Sequence, residues 1–218
     1  MKVRDALRIS VRRQRQATRL MQILLGVMVV VGLLSRNSGV FVNALVGFGV
    51  TFLPETLERD HGIPMDAGLT LWITSAVFLH GLGTVALPVV GTPYADVWWW
   101  DHLTHALSAS IVAAVGYSTA RAFDLHSEAV SLPPRFMFVF ILTFTLAFGV
   151  FWEVLEFAIS LVAASFGFGS VLTQYGLEDT MMDLLFDTAG AIVVATWGSG
   201  QLSEVVTALT ARFDGSRA

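Results

Sequence analysis

The 218-residue chain contains no cysteine, and charged residues make up only 14% of it. Without cysteine there is no disulfide framework, no thiolate metal site and no cysteine nucleophile, so any metal must be held by oxygen and imidazole. Almost all the basic side chains are arginine, and a net charge of -4 gives no basic surface of the kind that binds nucleic acid. There is no Walker loop, no Gly-x-Ser-x-Gly elbow and no His-Glu-x-x-His helix, which argues against nucleotide hydrolysis and serine-esterase chemistry.

What fills the chain is apolar. Hydrophobic residues account for 55%, with apolar windows of about twenty residues, the composition of a polytopic membrane protein. The expected fold is an all-α bundle of six transmembrane helices: Leu20 to Leu34, Val40 to Leu53, Leu69 to Val90, His102 to Ala122, Phe136 to Ala163 and Met182 to Gly198. The first two are short and could form a hairpin that thins the bilayer locally. The division is a basic tail at 1–19, one membrane domain at 20–200 and a tail at 201–218. Pro54 to Gly68 reads as a short interfacial helix and turn.

Orientation follows from the basic residues. Lys2, Arg4, Arg8, Arg12, Arg13, Arg15 and Arg19 precede the first span, and Arg59, Arg121, Arg135, Arg212 and Arg217 fall on the same side in a six-span count. Only Arg36 falls on the other, so both termini are expected in the cytoplasm of a plasma-membrane protein. The first apolar run is read as an uncleaved helix because no small-x-small cleavage site follows it before Arg36.

Against this background three clusters stand out: Asp101 with His105, Glu153 with Glu156, and Asp179 with Asp183 and Asp187. Carboxylates in or beside membrane spans are expensive unless they meet protons, bases or cations. The topology puts all three clusters at one depth, near the outer end of the membrane. Spacings of i, i+3 and i, i+4 place each cluster on one helix face, and such pairs projecting from several helices build carboxylate-bridged metal sites. Five carboxylates and one imidazole suit Mg, Mn, Fe or Zn, and not copper(I) or an iron–sulfur cluster.

Plainer readings exist for these residues. Asp101 and Asp179 could cap helix N-termini, and the acids could form a static interhelical hydrogen-bond network. Trp98, Trp99 and Trp100 beside Tyr94 read as an interfacial aromatic belt, with Trp152 in the same role. His80, read as mid-helix, is taken as packed against Gly81 and Gly83, with a ligand or relay role as the alternative, and His102 is expected to face away from His105. The loop Phe166 to Leu177, with Gly167, Gly169 and Gly176, could cover the acids or simply return the chain.

The runs Leu-Pro-Glu-Thr-Leu-Glu-Arg, Trp-Trp-Asp-His-Leu-Thr-His-Ala-Leu-Ser, Phe-Trp-Glu-Val-Leu-Glu-Phe and Glu-Asp-Thr-Met-Met-Asp-Leu, followed by Gly190 and Ala191, resemble the YjdF-like family of prokaryotic membrane proteins. The resemblance covers most of the chain after the basic tail. It implies that Asp101 and His105, Trp152 with Glu153 and Glu156, and Asp179, Thr180 and Asp183 are family positions, with Asp187 less clearly one. The start of the fourth span is also similar, over a short stretch, to the Asp-x-x-x-His of VanZ-like membrane proteins. Neither resemblance supplies a reaction. The acid row also resembles the end of the CDP-alcohol phosphotransferase motif, whose Asp-Gly and Ala-Arg parts are absent here. No Lys or Arg falls near the clusters, so a phosphate would have to be held through metal.

The reading drawn from these residues is a divalent-metal-dependent membrane enzyme acting on a lipid or other membrane-soluble substrate. Asp101, His105, Glu153, Glu156 and Asp183 are expected to surround the metal, with Asp101 orienting His105 or bridging, and Asp179 or Asp187 as general base or supporting partner. The alternatives are a proton- or cation-coupled transporter and a structural protein with a buried polar network.

Overall fold

The computed structural model describes residues 9–127, 129–167, 171–172 and 176–215, which are helical apart from turns and one isolated bridge between Leu87 and Gly91. In chain order the helices are α1 (Val11–Leu34), α2 (Ser38–Val50), α3 (Leu53–His61), α4 (Ala67–Gly83), α5 (Pro93–Asp96), α6 (Trp100–His126), α7 (Pro134–Ser165) and α8 (Leu177–Gly215). Their boundaries follow local chemistry. Ser10, Asn37 and Asp66 cap α1, α2 and α4, each side chain accepting from a backbone N–H of the first turn, the contact that makes these residues good N-caps. Gly62, at φ 59°, ends α3 in the left-handed conformation that glycine adopts without strain.

Four helical stretches are long and apolar enough to cross a membrane: Val11–Leu34, Ser38–His61, Pro134–Ser165 and Leu177–Gly198. The second joins α2 to α3 across a turn at Thr51 and Phe52. Two of the six expected spans fall outside this group. Ala67–Gly83 is apolar but has only 17 residues. Trp100–His126 has the length, at 27 residues, but His105 and a series of serines and threonines dilute its hydropathy.

Three helix boundaries differ from the sequence reading. α4 stops at Gly83 rather than Val90, because a side chain at Gly83 would collide with the Tyr94 ring and the Trp100 indole as the chain folds back. α8 continues past Gly198 to Gly215 without a break; glycine lowers helix propensity, but tertiary packing overrides it, as Leu202 and Val206 are buried beyond the glycine. α1 begins at Val11 rather than Leu20, so Arg12, Arg13, Arg15 and Arg19 lie on its first turns.

The helices form two groups. α1, α2 and α4 pack around Leu25, Met28, Ala44 and Phe78. α6, α7 and α8 pack around Ala113, Met137, Ile141, Ala191 and Val194. The closest seam joins α6 to α8, where a Cβ on Gly190 would strike the Ala106 carbonyl; small residues at such a seam let helix backbones approach in an apolar environment. The groups meet through α4 and α6, where the Trp72 indole donates to Ser110 Oγ at 3.0 Å and the Trp100 indole to the Leu79 carbonyl at 3.2 Å. α2 and α7 scarcely touch, which leaves a gap on that side of the bundle.

Candidate metal centre and adjoining cavities

The α6–α8 seam determines which acids meet. Asp101 and His105 lie one turn apart on α6, Asp183 and Asp187 one turn apart on α8, and the close approach at Gly190 puts the two rows side by side. His105 is the hub. Its Nε2 lies 3.6 Å from Asp101 Oδ1 and 3.9 Å from Asp183 Oδ2, while its Nδ1 lies 3.3 Å from Asp187 Oδ1. One atom from each of Asp101, His105 and Asp183 falls within 4.8 Å of the others, a spacing that can hold a metal ion. Asp183 and Asp187 are 1% and 4% exposed, and room for Asp187 comes from α7, where any Cβ on Gly149 would overlap its carboxylate.

Of the five residues expected around a metal, the structure gathers Asp101, His105 and Asp183 most tightly. Glu153 and Glu156 are buried on α7 beside them. Glu153 Oε2 accepts from Thr180 Oγ1 at 2.7 Å, and Glu156 Oε1 accepts from the Trp152 indole at 3.0 Å. Glu156 lines a polar cavity of about 200 Å³ with Asp101 and His105. Asp179, in the first turn of α8, lies within electrostatic reach of Asp101 and Asp183. Asp101 is not a cap, since the N-cap position of α6 is Trp99 and makes no side-chain cap bond.

Three residues belong to this site that the sequence reading had placed elsewhere. His102 does not face away: its Nδ1 lies 3.3 Å from Asp183 Oδ1, and its ring stacks on Phe186 with centroids 4.7 Å apart. His80 is not mid-helix, because α4 ends three residues later. Its Nε2 lies 3.0 Å from Asn43 Oδ1 and its Nδ1 lies 2.6 Å from the Tyr94 hydroxyl. Both amide hydrogens of Asn43 go to the carbonyls of Gly39 and Val171, so its Oδ1 is the acceptor. Nε2 of His80 therefore carries the proton, and a neutral His80 accepts from Tyr94 at Nδ1. Tyr94 is thus a member of the polar network and not of the aromatic belt, a role that suits the exposed Trp98 and Trp99. The signal for His102 was present in the sequence: it is i, i+3 from His105, the spacing already accepted for Glu153 and Glu156.

A second cavity, of about 580 Å³, lies between α2, α4, α6 and α7 and shares His80 and His105 with the first. Its wall is mostly aliphatic and aromatic, including Val46, Ala76, Val112 and Phe148, and its polar lining comprises Asn43, His80, Thr104, His105, Ser108, Thr145 and Asp187. Val171 and Leu172 line both cavities, and their carbonyls accept from Asn43 and Ser160 at 2.9 and 3.0 Å. Those two residues are all that is described of 168–175, so Gly169 and the expected covering role of Phe166 to Leu177 lie largely outside the described residues.

Comparison with known proteins agrees with the membrane character of the chain. A protein of Thermotoga maritima described as "Uncharacterized protein" is 27% identical over 188 residues, covering 84% of this chain and 88% of that one. No solved structure matches. The model of the family described as "Predicted membrane protein (DUF2238)" matches residues 17–204. This is the YjdF-like family that the motifs resemble, and the chain belongs to it.

Proposed function

We propose that the protein is a six-span plasma-membrane enzyme, both termini cytoplasmic, that holds a divalent metal near the outer leaflet and acts on a lipid or other membrane-soluble substrate. The observation that carries this reading is the convergence of Asp101, His105 and Asp183 within 4.8 Å, with His105 also lining a mostly apolar cavity of about 580 Å³. The donor set fits Mn, Mg, Zn or Fe: oxygen and imidazole with no thiolate. Asp187 at His105 Nδ1 fixes the ring so that Nε2 faces the other two ligands, the supporting arrangement usual for metal-binding histidines. Bound divalent metal supplies Lewis acidity toward a substrate oxygen or water. Glu156, at the smaller cavity, is placed to receive or return a proton, and Glu153 braces α7 against α8 through Thr180.

The six-span count adds α4 and α6 to the four longer apolar stretches, supported by the packing of both into the bundle and by the distribution of arginine. A transporter would need ionisable groups continuing inward. The buried polar side chains on that side, among the described residues, are Gln14, Thr18, Thr51, Thr74, Ser110, Ser118 and Thr145, none of which carries charge.

The test is elemental mass spectrometry on protein purified in mild detergent without chelator, comparing wild type with Asp183→Asn and Glu153→Gln. Near-stoichiometric metal in the wild type, lost from folded Asp183→Asn, supports the reading. A wild type still empty after incubation with Mn, Zn and Fe overturns it and leaves a static polar network.

A further inference from the structure

We infer that the ligand of this site is a membrane lipid with an anionic head group, a hydrocarbon chain lying in the larger cavity and the head at His105, which lines that cavity and belongs to the cluster with Asp101 and Asp183. The head-group half of this inference rests on the metal reading; the chain half stands on the cavity alone.

Size admits a hydrocarbon chain. The cavity of about 580 Å³ falls within the range of about 300–1,000 Å³ usual for small-molecule sites. The wall chemistry agrees, being mostly apolar, with His80, His105 and Asp187 as the ionisable groups among its polar minority. Small-molecule sites share this plan of an apolar wall with a few placed polar groups.

The entrance points to the membrane. Because α2 and α7 scarcely touch, the cavity opens between them, and the rim residues Val46 and Phe151 are 60% and 59% exposed. Both lie on stretches apolar enough to cross a membrane. A hydrocarbon chain can slide in from the side without passing through water, whereas a soluble substrate would meet an apolar gate.

The head group follows from charge. The cluster is acidic, with His105 facing the carboxylates of Asp101, Asp183 and Asp187 at 3.6, 3.9 and 3.3 Å. An anion is unwelcome there without a cation, but three protein ligands leave open coordination positions that an oxyanion can fill. A divalent ion thus makes the site select for anionic oxygen.

The experiment is native mass spectrometry of the detergent-solubilised protein with palmitoyl lysophosphatidic acid, in Mn²⁺ or in EDTA. The same titration uses hexadecyltrimethylammonium as a comparison probe, and elemental analysis is run on the same samples. Ser108→Phe fills the cavity from its wall, and Val46→Trp obstructs the mouth from an exposed position that folding tolerates; Val27→Trp, on the exposed face of α1, is the control.

The expected result is one saturable lysolipid per protein, weakened about tenfold by EDTA and by each cavity variant, and unchanged in the control. Tighter metal-free binding of the cationic probe overturns the head-group assignment. Binding unaffected by both cavity variants overturns the location. Stoichiometric metal with no lysolipid binding overturns this inference while the metal reading stands. Metal-free protein that still binds the chain, with loss in the cavity variants, supports the chain placement and overturns the metal and head-group assignments together.

Discussion

His105 makes one contact through Nδ1 and two through Nε2, and those roles separate what its neighbours do. Asp183→Asn removes a ligand oxygen and is expected to abolish metal retention. Asp187→Asn leaves the ligand set intact and loosens only the ring, so metal affinity should fall by about ten- to a hundredfold; titration against a chelating dye distinguishes the two. Protons compete with metal at these carboxylates and at imidazole, so affinity should rise with pH and weaken steadily from about pH 8 to about pH 5. A pH-independent affinity over that range would rule out this ligand set. At this scale Asp101, His105, Asp183 and Asp187 were legible from spacing alone, because an i, i+4 row needs only a helix to become a face. Tyr94 was not, since it reaches His80 only after the chain has folded back behind α4, and nothing local in the sequence marks that return.

Helix identity was readable from hydropathy, while helix ends were set by contacts distant in sequence. α4 ends where the Tyr94 and Trp100 rings occupy the space beside Gly83, and that shortening moves His80 from mid-membrane to the level of the acids. α8 runs through Gly198 because packing on its inner half outweighs propensity. The α6–α8 seam is the element on which the site depends. Gly190→Val should force the backbones apart, costing about 1–3 kcal/mol and lowering the midpoint of thermal unfolding in detergent. Gly149→Ala is the sharper probe: its Cβ displaces Asp187 with little change in volume elsewhere. It should weaken metal binding to an extent resembling Asp187→Asn while leaving the melting curve nearer to wild type than Gly190→Val does.

Across the whole molecule, the lack of cysteine makes topology directly measurable by introducing single thiols. Val89→Cys, at a residue 96% exposed between α4 and α5, should react with a membrane-impermeant maleimide in intact cells. Ser131→Cys, between α6 and α7, should react only after permeabilisation; the reverse pattern would invert the proposed orientation. The sequence reading expected the acids to share a depth, but the lateral cavity was hidden, since it arises from α2 and α7 scarcely touching rather than from any motif. The acidic character of the cluster also carries a kinetic meaning for the proposed lipid site. An oxyanion approaching the metal-free cluster meets repulsion, so the head is expected to bind more tightly once a cation is in place. The favoured order is then ion first and lipid second, and a chelator should strip the ion from the ternary complex more slowly than from the lipid-free protein.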